Sequence, residues 1–393
     1  MKILNQLIWP KGFQSDGIKA DLRDHSDKAD LGWIVSDVLA DAAAVFTLNQ
    51  FPAAPVQLTK STIAQNQKLQ ALVVNSANAN SFTGIQGLKN AELEQQLVAD
   101  KLALSPKVVA VSSTGIIGKQ LPMDKITAGI AKLQKSQNSE IAQAIMTTDT
   151  VSKTISLDFD GMIMSGIAKG SGMIHPNMGT MLSFITTDAK IDGQLLQKLL
   201  RQLTDITFNQ ITIDGDTSTN DMLIVMANGR AGQEEILADS PAYETFKAAL
   251  HKVMQTLAIK IAKDGEGASK LVTANVCGSQ NDLAARMIAK TIVGSNLVKA
   301  AAFGEDPNWG RVIDAIGNAG VDLTAKDIQL AINHVPIINQ GELLEMNSDA
   351  LEQAVKSDQV TFDVSVGSGA GQGQAWGADL TYEYVKINAM YRT

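Results

Sequence analysis

The sequence predicts an α/β protein, and two observations carry that prediction. Short β-branched runs bounded by polar residues recur along the chain, and stretches with apolar residues at helical spacing alternate with them. The 393 residues exceed what one compact core fills, so two or three domains are expected. The pattern restarts near Leu297. A soft boundary near residue 290, unmarked by any clear linker, divides a main part (1–290) from a C-terminal part (291–393).

The elements follow in order. Ala42–Leu48 and Leu69–Ser76 read as buried strands, and Leu88–Leu104 as an amphipathic helix. The run "KVVAVSSTGIIG" reads as a strand entering a Ser/Thr/Gly turn, and "MDKITAGIAKLQ" and "SEIAQAIMTT" as helices. "VSKTISLDFDGMIMSGIAKGSG" alternates like a hairpin with Asp160-Gly161 at its turn. "TMLSFITTDA" is a strand, followed by a helix with its start signal at Asp192. The stretch from Tyr243 to Lys263 reads as a long amphipathic helix stopped by Gly265. "SKLVTANV" is a strand, and the next helix has Ser279 as its candidate cap. In the C-terminal part a helix follows "DPNWGR", while "DIQLAINHVPI", "QVTFDVSV" and "DLTYEYVKI" read as strands. Gly367–Gly377 reads as a loose hairpin loop, because no phosphate-binding glycine frame is present.

Composition excludes several function classes. A net charge of −8 with no long basic run argues against nucleic acid as a partner. No window approaches a membrane span and no secretory leader pattern is seen, so a cytoplasmic enzyme is expected. The lone Cys277 excludes an internal disulfide and reads as a small buried hydrophobe. His25, His175, His251 and His334 are scattered, and no metal is expected. "DGDTSTND" (Asp214–Asp221) fails the calcium-loop frame, which needs Gly and Glu where Thr219 and Val225 stand, and reads as an Asx-rich turn.

One junction invites chemistry. In "KGSGMIHPNMGTMLSFITTDA" (Lys169–Ala189) the small Gly179 precedes the hydroxyl of Thr180 at a loop–strand joint. It reads as an ordinary turn or as a scissile bond. Cutting there turns the Thr180 α-amine into a base for its own hydroxyl, with a reference pKa of about 7.7–8.0. Acyl chemistry also needs oxyanion donors, and the Thr114–Gly115 turn is a source. Glu266, between two glycines at a helix end, reads from its surroundings alone as a solvated turn.

The Lys169–Ala189 segment resembles the autoprocessing signature of the ornithine acetyltransferases, also called glutamate N-acetyltransferases. "VFTLNQFPAAPV", "NSANANSFTG", "SSTGIIG", "AIMTTDT", "ITIDGDTSTND", "DGEGASK", "FGEDPNWGR" and the final "YVKINAMYRT" resemble family blocks in family order, across nearly the whole chain. The sequence departs from the pattern at Gly179, where alanine is usual, and at His175 and Ala77.

The resemblance implies a layered α/β sandwich, similar to that of the aminopeptidase/amidase relatives, with a smaller C-terminal α/β domain. It implies a cut between Gly179 and Thr180, giving an α chain (1–179) and a β chain (180–393) that stay together as α2β2. Thr180 would take the acetyl group from N-acetylornithine and pass it to glutamate, with Thr114 and Gly115 as the oxyanion pair. Substrate contacts would fall on Thr147, Lys169, Thr180, Glu266, Asn388 and Thr393. No cofactor is implied. In bifunctional members acetyl-CoA is a second acetyl donor, and no residue here separates the two kinds. The alternatives are an N-terminal-nucleophile aminopeptidase or amidase, and an uncleaved binding protein.

Overall fold

The computed structural model describes residues 1–23, 26–175, 181–345 and 347–390. Gly179, Thr180 and Thr393 therefore lie outside the described residues, as does His25.

Two mixed sheets organise the α/β fold. The strands of the first are β1 (Lys2–Ile3), β2 (Phe13–Ile18), β3 (Leu31–Phe46), β4 (Lys68–Asn75), β5 (Val109–Ser113), β6 (Lys153–Phe159), β7 (Met162–Lys169) and β8 (Leu182–Thr187). After β9 (Ile211–Thr212), which belongs to the second sheet, β10 (Met222–Ala227) completes the first. Their order is β1-β6-β7-β8-β10-β3-β4-β5, with β2 paired to β3. Strands β8 and β10 run parallel with Leu182 opposite Met222, and both neighbours of that pair are antiparallel. The second sheet joins β9 to β11 (Leu271–Ser279), β12 (Gln329–Ile332), β13 (Val335–Asn339), β14 (Glu342–Leu343), β15 (Gln359–Ser365) and β16 (Gly371–Ala378).

Alternation along the strands divides the cores. Ala43, Val45 and Ile185 point into one core with Leu199 and Leu203 of α5 (Gly193–Ile206) and Phe246 and Leu250 of α6 (Pro241–Lys263), both numbered in chain order after α1 (Ala54–Asn66), α2 (Gly84–Leu102), α3 (Met123–Lys132) and α4 (Ile141–Ala144). Their neighbours Ala42, Ala44 and Phe184 point the other way, onto Val56 and Ile63 of α1. Helices thus cover both faces of the first sheet, which makes the fold layered. Leu271, Trp376 and Ala378 extend the α6 core to the second sheet. A further core sets that sheet against α7 (Asp282–Gly294), α8 (Asn296–Phe303) and α9 (Trp309–Gly317). Residue 290, the soft boundary read from the sequence, lies inside α7. Among the described residues, no helix is long and apolar enough to cross a membrane.

Local signals explain many elements. The Asp192 carboxylate accepts from the Gln194 and Leu195 amides and starts α5. Asp160 and Gly161 take positive φ, as the β6–β7 hairpin turn requires.

Six readings are corrected. Asn281, not Ser279, caps α7: its side chain accepts from the Ala284 amide, while Ser279 ends β11. Helix α6 ends at Lys263 with Asp264 as its cap, and Gly265 does not take a left-handed conformation. "DIQLAINHVPI" is a hairpin turning at Asn333 and His334, both at positive φ, so β12 and β13 are separate. The Gly-rich stretch forms β16, because an α7 backbone fills the space of a side chain; a Cβ on Gly373 would stand 2.4 Å from the Arg286 amide nitrogen. "DLTYEYVKI" is not a strand: from Tyr382 onward it belongs to α11 (Tyr382–Met390), which follows α10 (Ser348–Ala354). Cys277 also departs from its reading: alternation along β11 buries Val276 and leaves Cys277 exposed.

Candidate active site

One cavity collects residues from six distant parts of the sequence. Thr114, Gly115, Thr147, Lys169, Glu266 and Asn388 all line it, as do Thr148, Asp221 and Met181. Every candidate substrate or oxyanion residue among the described ones is therefore in one place. Met181, the first described residue after the Gly179–Thr180 junction, is on the wall. A broader groove of about 990 Å³ lies over the outer face of the second sheet, lined by Asn275, Cys277, Asp363 and Gln374, and holds none of them.

The Thr114 turn is built by strand ends. Strand β5 runs parallel to β4, and the Thr114 amide donates to the Asn75 carbonyl at 3.0 Å. The Asn220 amide then donates to the carbonyls of Ala79 (2.6 Å) and Ser113 (2.8 Å), fastening the "NSANAN" loop and the end of β5 together. Gly115 sits at φ +128° with its missing Cβ 2.3 Å from the Ala77 carbonyl carbon, so no other residue fits there unshifted.

Lys169 ends β7 and donates to the Thr114 hydroxyl at 3.2 Å. Burial pushes its ammonium pKa down, opposed by the charges of Asp149, Asp221 and Glu266. Asp149 is the firmest of these anions. Burial alone would raise its pKa, but Lys169 and Lys153, with the Lys153 and Thr147 hydrogen bonds, hold it at about 2. Lys153 Nζ lies 2.6 Å from Asp149 and 2.5 Å from Asp264, an ion-paired triad away from solvent. The Gly170 amide also donates to Asp149, at 2.7 Å. Asp149 thereby orients the Thr147 backbone, while the Thr148 hydroxyl shares a 2.7 Å hydrogen bond with Ser171.

Glu266 is buried, contrary to the solvated turn its surroundings in sequence suggest. Its amide donates to the Ser171 carbonyl at 2.8 Å, and its carboxylate occupies the space above Gly172, where a Cβ would meet Oε2 at 2.3 Å. Asn388 reaches the same carboxylate from α11. Asp214 of the Asx-rich turn accepts from the Met173 and Ile174 amides and so holds the end of the Lys169 loop. His175 Nδ1 lies 2.9 Å from the Thr212 hydroxyl; burial, with the charge of Lys290, pushes its pKa down to about 4, so it is neutral near pH 7.

Sequence reasoning missed Asp149, Asn220 and Asp221. All three sit inside quoted blocks, "AIMTTDT" and "ITIDGDTSTND". The local turn reading accounts for Asp214 but leaves Asn220 and Asp221, which face the site, without a role. The arrangement offers a hydroxyl–amide turn, a cation and two carboxyls around one small space, suited to a zwitterionic ligand and to an oxyanion.

The ArgJ family model matches residues 14–393. The chain belongs to the ArgJ family. A relative from Streptococcus mutans, named arginine biosynthesis bifunctional protein ArgJ, is 48% identical over 399 residues, covering 100% of both chains. A relative of the same name from Lactiplantibacillus plantarum is 49% identical, covering 98% of this chain and 96% of its own. The crystal structure of arginine biosynthesis bifunctional protein ArgJ from Bacillus halodurans matches with a TM-score of 0.52 and 47% identity, over 53% of this chain and 98% of that one. For this ArgJ-family chain the resemblance read from short blocks thus holds along its length.

Proposed function

We propose that the chain cuts itself between Gly179 and Thr180 and then transfers acetyl groups from N2-acetylornithine to glutamate, supplying an acetylated precursor for arginine biosynthesis. The observation that carries this reading is the convergence of Thr114, Gly115, Thr147, Lys169, Glu266 and Asn388 on one cavity that Met181 also lines. The family membership and the names of the relatives support it.

The steps balance as follows. The Thr180 hydroxyl attacks the acetyl carbonyl, and its proton goes to the free α-amine. The developing oxyanion takes hydrogen bonds from the Thr114–Gly115 turn. The C–N bond breaks, the proton passes to the departing nitrogen, and ornithine leaves an acetyl ester on Thr180. The glutamate amine then attacks that ester, and the proton returns to the threonine oxygen. Lys169 pairs with a substrate carboxylate and Glu266 with an ammonium group. Acetyl-CoA enters as a second donor to the same threonine, in keeping with the word bifunctional in the relatives' names. No metal or prosthetic group takes part. The cut halves pair as α2β2 in the cytoplasm.

Denaturing electrophoresis with N-terminal sequencing tests the cut: two bands are expected, one starting at Thr180. Acetyl exchange between N-acetylornithine and glutamate tests the transfer, with Thr180→Ala inactive. A single intact band, or exchange unchanged in Thr180→Ala, overturns the reading. Peptide or amide hydrolysis without exchange would favour the aminopeptidase alternative.

A further inference from the structure

Three carboxyl groups act on the Lys169 ammonium: Asp149, Asp221 and Glu266. Two of them are committed. Asp149 is shared with Lys153 and takes the Thr147 and Gly170 amides. Glu266 accepts from Asn388. Asp221 differs. It lines the cavity and is 3% exposed, and its Oδ2 atom has no hydrogen-bond partner among the described residues. The groups acting on it are the Lys169 charge and the Ser218 hydroxyl.

We propose that Asp221 is a positioning residue for Lys169, serving as its counter-charge in the empty cavity and gaining a proton when a substrate carboxylate reaches that lysine. This rests on the reading of the cavity as the substrate site. The physical reason is charge balance in a confined space. One ammonium cannot favourably hold two anions beside a third that is already fixed, and Asp221, whose Oδ2 has no hydrogen-bond partner among the described residues, is the anion most easily neutralised. Burial pushes the Asp221 pKa well above the usual carboxylate range, with the Lys169 charge and the Ser218 hydroxyl opposing. The step needs only a solvent proton: no covalent bond changes, and the proton leaves again with the ligand.

The test is calorimetric binding of ornithine to the purified full-length protein near pH 7, in buffers of different ionisation heat. The wild type is expected to take up about one proton more per ornithine than Asp221→Asn, and its affinity to fall by about tenfold per pH unit where Asp221 titrates, a dependence the variant flattens. Equal uptake in both proteins overturns the inference, because Lys169 or the ligand would then be the titrating group. Wild-type binding with no pH dependence also overturns it. Lys169→Met separates the two levels: if ornithine binds that variant as it binds the wild type, the substrate-site reading itself fails.

Discussion

Asn388, near the end of α11, donates its side-chain amide to Glu266 Oε2 at 2.7 Å, joining the last described helix to the cavity. Two further contacts seat that helix: the Thr381 hydroxyl donates to the Gly267 carbonyl at 2.8 Å, and Tyr384 donates to Asp214 at 3.2 Å. A hydrogen bond to a charged group contributes about 1.5–3 kcal/mol. Asn388→Ala is therefore expected to lower kcat/KM for acetyl exchange by at least about tenfold, with self-cleavage retained. Steady-state exchange assays and gels on the same preparation check both halves.

Gly172 and Gly115 should fail differently. The nearest atoms an added methyl at Gly172 meets are those of the Glu266 carboxylate, the far end of a flexible side chain, whereas at Gly115 it meets Ala77 backbone in a left-handed conformation. Gly172→Ala is expected to displace Glu266 and raise KM while leaving the melting temperature near that of the wild type. Gly115→Ala should lower both kcat and thermal stability. Kinetics paired with calorimetric melting distinguish them.

Asn220 is buried, and its amide satisfies two carbonyls, one in the Ala79 loop and one at the end of β5. Asn220→Ala leaves both unsatisfied, which costs about 2 kcal/mol or more. It also loosens the Ser113–Thr114 joint. Denaturant unfolding should show a lower midpoint, and exchange activity should fall with it.

Glu94 on α2 is fully buried, and neither carboxylate oxygen has a partner among the described residues. Burial raises its pKa from 4.5 to about 8. A carboxyl with a raised folded pKa favours folding fully below its unfolded pKa and loses that contribution as pH rises through the folded value. Wild-type stability from this group should therefore decline between about pH 4.5 and pH 8. Glu94→Gln removes the decline, so its advantage in melting temperature grows across that window. A constant difference between the two proteins at pH 5 and pH 8.5 would refute the assignment.

How much was legible depends on whether a signal was local. The Asp192 cap and the Asp160-Gly161 turn act through their immediate neighbours, and the sequence shows both. Helix α11 was misread because Tyr382, Tyr384, Val385 and Ile387 carry strand propensity, while its seat on Gly267 and Asp214 is tertiary. Strand β16 was hidden because its glycines answer to α7, a distant segment. The site shows the same division. Spacing alone cannot bring Thr114, Lys169, Glu266 and Asn388 together, and it was the resemblance of whole blocks that singled them out. Asp221 stayed out of view because its significance lies in the charge of Lys169, far away along the chain.

The strand order of the first sheet has a consequence for a chain divided after Gly179. Strands β8 and β10, from the second fragment, lie between β7 and β3 of the first. The first fragment's strands are thus parted into two groups, and the second fragment is the bridge between them. Hydrogen-bond ladders cross the cut on both sides, along β7–β8 and β10–β3. Neither piece owns the whole of the first sheet, so separation demands that this sheet be dismantled. A nicked molecule of this kind should melt in a single transition, and its two polypeptides should regain the first sheet only when mixed.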